Sequence, residues 1–286
     1  MSDETRFSCY IMTLNSERRL VALLESVREV ADEIVIVDSG SNDRTRKIAL
    51  EYGARFLYHE FVDFKRQRTF AIEQCRNSWV LELDSDEVLS NGLRDRLLAL
   101  KANGCRDGAA VPDAFGIRRR WFLLGREVHC FYPSRCPDLP IRLFRKDRVN
   151  YERSRGIHEA FSGFHSSVRI EEPILHFTCD SIEQMYAKMD LYTTLAAREM
   201  AANGERATAL QLLFYPWALW FRWYIMLGGW RDGQLGLVHG RYVRDTVYQK
   251  YLKLKFDHQG PVEAGKAERD LSSKQLLGTT QVKGKS

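Results

Sequence analysis

Four consecutive β-branched residues, Ile34-Val35-Ile36-Val37, run straight into Asp38. Such a run has no polar face to offer water, so it predicts a strand covered on both sides, as in a parallel sheet. The same design recurs around it. Phe7 to Met12 is a short apolar run, and Leu20, Leu23, Leu24 and Val27 follow at helical spacing behind Asn15 and Ser16, which can cap a helix start. After the turn Ser39-Gly40-Ser41-Asn42, a helix is expected from about Asp43 to Tyr52, stopping at Gly53, with a strand at Ala54 to Tyr58. A helix over about Lys65 to Cys75 leads into Trp79-Val80-Leu81-Glu82-Leu83, which delivers Asp84-Ser85-Asp86-Glu87. This βαβαβαβ series predicts an open α/β sheet with ligands at the carboxyl ends of its strands, where Asp38 and Asp84 fall.

The chain's 286 residues suffice for one large domain or a domain with an appendage. With 44% hydrophobic and 28% charged residues, 7 Pro and 19 Gly, a disordered or fibrous protein is excluded. The +5 net charge suits nucleic acid, an anionic membrane face or a phosphorylated substrate, and does not choose among them. Cys9, Cys75, Cys105, Cys130, Cys136 and Cys179 form no CxxC pair, which argues against a zinc site or disulfide framework and suits a reducing cytosol. The N-terminal stretch is acidic where an export signal would be basic, so none is expected. The long apolar stretch Leu212 to Trp230 contains Pro216 and Arg222, and an arginine at mid-bilayer costs at least about 2.5 kcal/mol, so a membrane span is disfavoured.

From about Ala109 to His176 short alternating runs, among them Ile141 to Phe144 and Val168 to Ile170, read as antiparallel strands and loops. Ser181 and Gln184 form a capping-box pattern opening a helix to about Asn203, followed by helical stretches to about Leu227 and from about Gln234 to Lys255.

The segment LELDSDE carries the clearest chemistry. Carboxylates at i and i+2 of a strand end, Asp84 and Asp86, can aim at one hard cation, and Mg²⁺ or Mn²⁺ favours one or two carboxylates plus phosphate oxygens. A solvated acidic loop before the helix near Asn91 is the plain alternative. Asp38, followed by Ser39-Gly40-Ser41, is placed to accept from a nucleoside's base N–H or ribose hydroxyls, or else merely starts a turn. Thr13-Leu14-Asn15-Ser16-Glu17 ends the first strand in the same way, so three strand ends present polar groups to one crevice.

In this order the motifs resemble the family 2 glycosyltransferases of the GT-A fold, most closely the bacterial branch that adds sugars to the lipopolysaccharide core. The matching pieces are TLNSE (Thr13, Asn15, Glu17), EIVIVDSGSNDRT (Asp38 to Thr45), Gln67-Arg68, WVLELDSDE, PDLPIRLFR (Pro137 to Arg145), IHE (Ile157 to Glu159), His176 and the aromatic helical segment ending in Gly233. Together they cover about Phe7 to Lys255. The resemblance implies transfer of a sugar, with inversion, from a nucleotide diphosphate sugar, UDP-sugars being favoured, to a lipid-linked saccharide. It also implies that Thr13, Asn15, Glu17, Asp38, Ser39 and Arg68 line the nucleotide pocket, with Arg68 able to grip a phosphate. Asp84 would contact ribose or a metal-bound water, and Asp86 with Asp84 would serve a divalent cation, Mg²⁺ or Mn²⁺. Thr69 and Ser85 replace the Asn and Ala common in related sequences, which bears on donor preference.

Inversion in one displacement needs a carboxylate to take the acceptor hydroxyl's proton. Glu159 and Asp138 are the candidates. Glu159 is preferred because His158 beside it can orient a partner or phosphate, and because the base in this fold generally comes from the acceptor-facing segment; an ion pair of Glu159 with Arg153 or Arg155 is the alternative. Arg142 and His158 are assigned to the acceptor side. His176 is expected to be a packed, hydrogen-bonded histidine, with metal ligation as the alternative. Arg118-Arg119-Arg120 before Trp121 and Phe122 fits a basic wall for a phosphorylated acceptor as well as a nucleic-acid patch. The fold signals favour the wall, and no nucleic-acid partner is expected.

The strand-end crevice is thus expected to be acidic, with the cations and aromatics in the acceptor half and the helices. FYPWALWFRWYIMLGGW holds Trp217, Trp220, Trp223 and Trp230 with Arg222, which suits attachment to an anionic membrane surface; packing on the catalytic domain is the alternative. The expected layout is a GT-A catalytic domain over 1–180, with a nucleotide-sugar half to about 105 and an acceptor half from about 106. A helical appendage over 181–256 and a mobile tail over 257–286 follow, in a cytoplasmic protein peripheral on the inner membrane. Two rivals fare worse. A haloacid dehalogenase-type phosphohydrolase using Asp84 as nucleophile needs a late pair of metal aspartates, and the chain has no Asp-Asp pair. A non-catalytic membrane or nucleic-acid binding module leaves the three aligned strand ends unexplained.

Overall fold

The computed structural model describes residues 5–132, 137–148 and 163–257. Its first hundred residues alternate as expected: β1 (Phe7–Thr13), α1 (Glu17–Val27), β2 (Glu33–Asp38), α2 (Thr45–Glu51), β3 (Arg55–Tyr58), α3 (Phe64–Gln74), β4 (Trp79–Asp84), β5 (Glu87–Leu89) and α4 (Asn91–Ala102). Strands β3, β2, β1 and β4 lie side by side and parallel. Val35, Ile36 and Val37 are fully buried, as an unbroken β-branched run requires. Helix α1 buries Leu20, Leu23, Leu24 and Val27, each worth about 1.5–3 kcal/mol relative to exposure.

The helix starts are closed by different residues. Asp63 caps α3 by accepting from Arg66 N–H at 2.7 Å, and Ser90 caps α4 by accepting from Leu93 N–H at 3.2 Å. The Ser16 side chain makes no cap on α1; Asp43, from the following βα loop, accepts from Glu17 N–H at 3.0 Å instead. Asn15, at φ 50°, turns the chain so that this neighbouring loop comes within reach.

The sheet continues through β6 (Ala114–Leu123), β7 (Arg126–Val128), β8 (Ile141–Arg145) and β9 (Ser167–Cys179) in the order β3-β2-β1-β4-β8-β6-β9-β5, with β7 on β6. Strand β8 is antiparallel to both β4 and β6, and β5 is antiparallel to β9. The long β6–β9 ladder is parallel, from Ala114 opposite Ser167 to Leu123 opposite Cys179, so the second half mixes both senses. This is the mixed α/β sheet of a GT-A fold, with strand reversal beginning at β8.

Helices α5 (Ile182–Ala202), α6 (Ala209–Phe221) and α7 (Gly233–Phe256) follow, α6 running into a π-helical turn over Arg222–Met226. Ser181 accepts from Gln184 N–H at 3.1 Å while Gln184 reaches back to Asp180 N–H at 2.9 Å, a capping box displaced by one residue. The chain forms two compact units: Met1–Lys188 with Trp220–Val243, and Met189–Leu219 with the chain from Arg244.

The aromatic segment divides between packing and exposure. In the first unit Trp223 is 2% exposed and packs with Cys130 and Val243, whereas Phe221, Met226 and Trp230 are exposed. In the second unit Trp217 is exposed under the Arg244 guanidinium, and Lys253 binds Asp190, Thr193 and Thr194. No helix among the described residues is long and apolar enough to cross a membrane. The five described cysteines are all free and buried. Glu159 and His158, with Arg153, Arg155 and Cys136, lie outside the described residues, as does the tail from 258.

Candidate active site

Register alone aligns the strand ends. Across β1, Thr13 pairs with Asp38 and Met12 with Asp84. Asp38 Oδ2 accepts from Thr13 Oγ1 at 2.8 Å and Ser41 Oγ at 2.5 Å, while Oδ1 accepts from the N–H groups of Gly40 at 2.9 Å and Ser41 at 2.8 Å. Four donors use the lone-pair positions of a carboxylate. Asp38 therefore holds the turn after β2, where a direct contact with a nucleoside was expected. Gly40, Ser41 and Asp38 line a cleft of about 390 Å³ with Arg46, Phe56 and Tyr58.

Asn15 and Glu17 strap two loops together. Asn15 N–H donates to Ser41 Oγ at 2.7 Å, Asn42 N–H donates to Asn15 Oδ1 at 2.9 Å, and Glu17 accepts from Arg44 N–H at 3.0 Å and Arg44 Nε at 3.1 Å. Ser16 Oγ lies 3.0 Å from Ser85 Oγ, tying the first strand end to the acidic loop. Ser39 Oγ accepts from Gln67 Nε2 at 3.0 Å, which fixes it from α3. Arg68, expected on a phosphate, donates to Glu82 Oε1 at 2.8 Å. Burial disfavours its charge, and the Glu82 carboxylate more than compensates.

A buried ion network surrounds Asp84. Because β8 lies directly beside β4, Arg142 sits among the carboxylates rather than out on an acceptor face. Its guanidinium is 3.2 Å from Glu82, 2.5 Å from Asp84 and 2.6 Å from Glu87. Glu87 Oε1 also accepts from His176 Nδ1 at 3.1 Å and Arg119 Nη1 at 3.4 Å, and Oε2 from Asp84 N–H at 3.0 Å. Burial opposes ionisation of Glu87, but Arg142 and then His176 hold it well below the usual carboxylate range. His176 Nε2 is 3.3 Å from Asp86 Oδ1. Burial disfavours its charge too, yet Asp86 and Glu87 push its pKa up to about 9, making it an imidazolium at neutral pH. Asp86 is held low against its own burial by His176 and by Lys188, whose Nζ lies 3.1 Å from Oδ2. Asp138 accepts from Arg119 Nε and Nη2, both at 2.7 Å.

The crevice is therefore charge-compensated, where an acidic one was expected. Glu82, Asp84, Asp86, Glu87 and Asp138 meet Arg68, Arg119, Arg142, Lys188 and protonated His176. The basic triplet supplies one of these cations. Strand alternation turns Arg119 inward, while Arg120 pairs with Glu127 and Arg118 lies 3.9 Å from Glu171 on the other face, so the triplet itself does not form one continuous basic wall.

The donor set can be tested against a divalent cation. Asp84, Glu87 and His176 each offer an atom within 4.8 Å of the others. Both oxygens of Glu87 are already engaged inside the protein, whereas the side chains of Asp84 and Asp86 remain 26% and 24% exposed. The cluster of Asp84, Glu87 and His176, with Asp86 Oδ1 3.3 Å from His176 Nε2, is rich in carboxylate oxygens, the donor type that suits Mg²⁺ or Mn²⁺.

Three participants were not singled out from motifs, Glu82, Glu87 and Lys188, and Arg119 was read only as part of a basic wall. Glu82 carried a signal, since a carboxylate inside an apolar strand demands a buried cation. Lys188 carried none, because only the fold brings α5 to the acidic loop.

The sequence profile of glycosyl transferase family 2 matches residues 8–169. The chain is 32% identical over 241 residues to the lipopolysaccharide core biosynthesis glycosyltransferase LpsC of Rhizobium meliloti (strain 1021), covering 81% of this chain and 85% of that one. It is 27% identical over 222 residues to an uncharacterized glycosyltransferase of Rickettsia typhi, covering 72% of each. Among solved structures, the mannosyltransferase PcManGT of Pyrobaculum calidifontis, in complex with GDP-Man and Mn²⁺, superposes with a TM-score of 0.51 over 90% of this chain and 89% of that one, at 12% identity. The strand order, the aspartates at the end of β4 and a profile match over more than half the sequence agree, and the chain is a glycosyltransferase belonging to glycosyl transferase family 2.

Proposed function

We propose that the protein is an inverting, cation-assisted transferase that moves a sugar from a nucleotide diphosphate sugar to a lipid-linked saccharide. The observation carrying this reading is the placement of Asp84 and Asp86 at the carboxyl end of β4, one strand from the Asp38 turn, in a family 2 chain. The cleft beside Asp38, walled by Phe56 and Tyr58, suits the nucleoside, and Asp84 and Asp86 would hold the cation. A divalent cation, when bound, offsets the charge that develops on the diphosphate as the glycosidic bond breaks. The acceptor oxygen attacks the anomeric carbon, the bond to the diphosphate oxygen breaks, and the acceptor proton passes to a carboxylate. Glu159 is assigned that role, because Asp138 is bound to the Arg119 guanidinium. A role for Mn²⁺ draws support from PcManGT, and a lipid-linked acceptor from the naming of LpsC.

Exposed Phe221, Met226 and Trp230, beside exposed Arg222 and Arg231, support attachment to an anionic surface at the cytoplasmic face of the inner membrane. Flotation with anionic liposomes at low salt tests this, and failure to float refutes it. For the reaction, calorimetry across UDP, GDP and ADP sugars with and without Mn²⁺ is decisive. Binding that requires Mn²⁺ and is lost in Asp86→Ala is expected. Binding to none of the donors, or indifference to Asp86→Ala, refutes the reading.

A further inference from the structure

Lys188 differs from the other cations of the network. The side chains of Arg68, Arg119, Arg142 and His176 are 17%, 14%, 4% and 9% exposed, whereas that of Lys188 is 37% exposed. It stands near the start of α5, a helix end fixed by the Ser181 and Gln184 caps. Its ammonium meets Asp86 Oδ2 at 3.1 Å and the Thr178 carbonyl at 2.7 Å. Asp86 is one of the two half-buried carboxylates assigned above to the cation, so a positive charge already lies where a divalent ion would bind.

We propose that Lys188 is a leaving-group-binding residue held in reserve: its ammonium screens Asp86 in the ligand-free protein and moves to the diphosphate oxygens when the donor and cation occupy the site. The inference rests on the nucleotide diphosphate reading given above. Two positive charges sharing one carboxylate repel each other, so cation entry displaces the ammonium from Asp86. A lysine suits the transfer better than Arg119 or Arg142, because its charge is compact and carried on a flexible four-carbon stem, whereas their guanidinium forks are each held by several carboxylates. Released, the ammonium faces a ligand with far more negative charge than a single carboxylate.

The two roles predict affinity changes of opposite sign, which a purely structural lysine would not give. In calorimetry without nucleotide, Lys188→Met should bind Mn²⁺ about three- to tenfold more tightly than the wild type, because the competing charge is gone. With Mn²⁺ saturating, the same variant should bind UDP about tenfold more weakly, and Lys188→Arg should restore most of that loss. Thermal melts of both variants establish that they are folded. If the wild type binds UDP with Mn²⁺ and Lys188→Met leaves both affinities unchanged, or moves them in the same direction, the inference is overturned alone. If the wild type binds neither UDP, GDP nor ADP, the donor reading falls and the inference with it.

Discussion

Glu87 and His176 face each other across the β5–β9 ladder, with Oε1 and Nδ1 3.1 Å apart. The pair joins the loop that follows β4 to the longest strand of the second half. Glu87 is fully buried and is met by two guanidinium groups besides. Glu87→Gln would leave Arg142 and Arg119 short of a countercharge, and it is expected to cost about 3–5 kcal/mol in denaturant unfolding.

The arginine triplet offers a contrast within three consecutive residues. Arg119→Met strands Asp138, removes one of the cations facing Glu87 and should destabilise the protein by about 3 kcal/mol or more. Arg118→Met, on the opposite face, should change stability by less than about 0.5 kcal/mol. Equal losses at the two positions would contradict the inward placement of Arg119.

His239 makes stability depend on pH. It is fully buried against Trp223 and Phe131, no hydrogen-bond partner for either ring nitrogen is found among the described residues, and burial pushes its pKa from 6.5 down to about 3. Between those values the unfolded chain binds a proton that the folded protein refuses, so the stabilisation is intact above 6.5 and is lost as pH falls. The slope approaches about 1.4 kcal/mol per pH unit. His239→Phe should remove that slope from the difference between the two acid titration curves of stability.

Two helical glycines should respond in opposite directions to alanine. A Cβ on Gly236 would collide with the Gly229 carbonyl, and Gly236→Ala is expected to cost about 1–3 kcal/mol despite alanine's better helix propensity. At Gly92 in α4 the new Cβ would meet Glu172 Cγ at an ordinary 3.5 Å, so Gly92→Ala should gain up to about 1 kcal/mol. Thermal or denaturant melts read both.

The first half of the fold was legible because its signals are local. The Ile34 to Val37 run, the spacing of Leu20 to Val27 and Gly53 at φ 70° each act within a few residues. The parallel β6–β9 ladder was not legible, since its pairing depends on a return path of more than forty residues rather than on either strand's pattern. At the site, Asp84 and Asp86 were found at a strand end as expected, whereas the partners of Asp38 and Arg68 were not. Asp38 spends its oxygens on the turn Ser39 to Ser41, and Arg68 is claimed by Glu82, a residue hidden within an apolar strand. Motif spacing identifies which residues reach the crevice, but which charge compensates which is decided by β8 and α5, far along the chain.

The rings of His176, Trp121, Phe131, His239 and Trp223 follow one another at centroid separations of 4.3, 4.6, 4.7 and 4.3 Å. One end of this row is a charged imidazole touching the acidic loop, and the other is a neutral imidazole sealed from water. Protonated imidazole quenches indole emission, so Trp121, packed near charged His176, is expected to be dimmer than Trp223 beside neutral His239. A ligand that displaces His176 or strips its proton is expected to raise Trp121 emission, an unlabelled optical readout of what happens at the acidic loop.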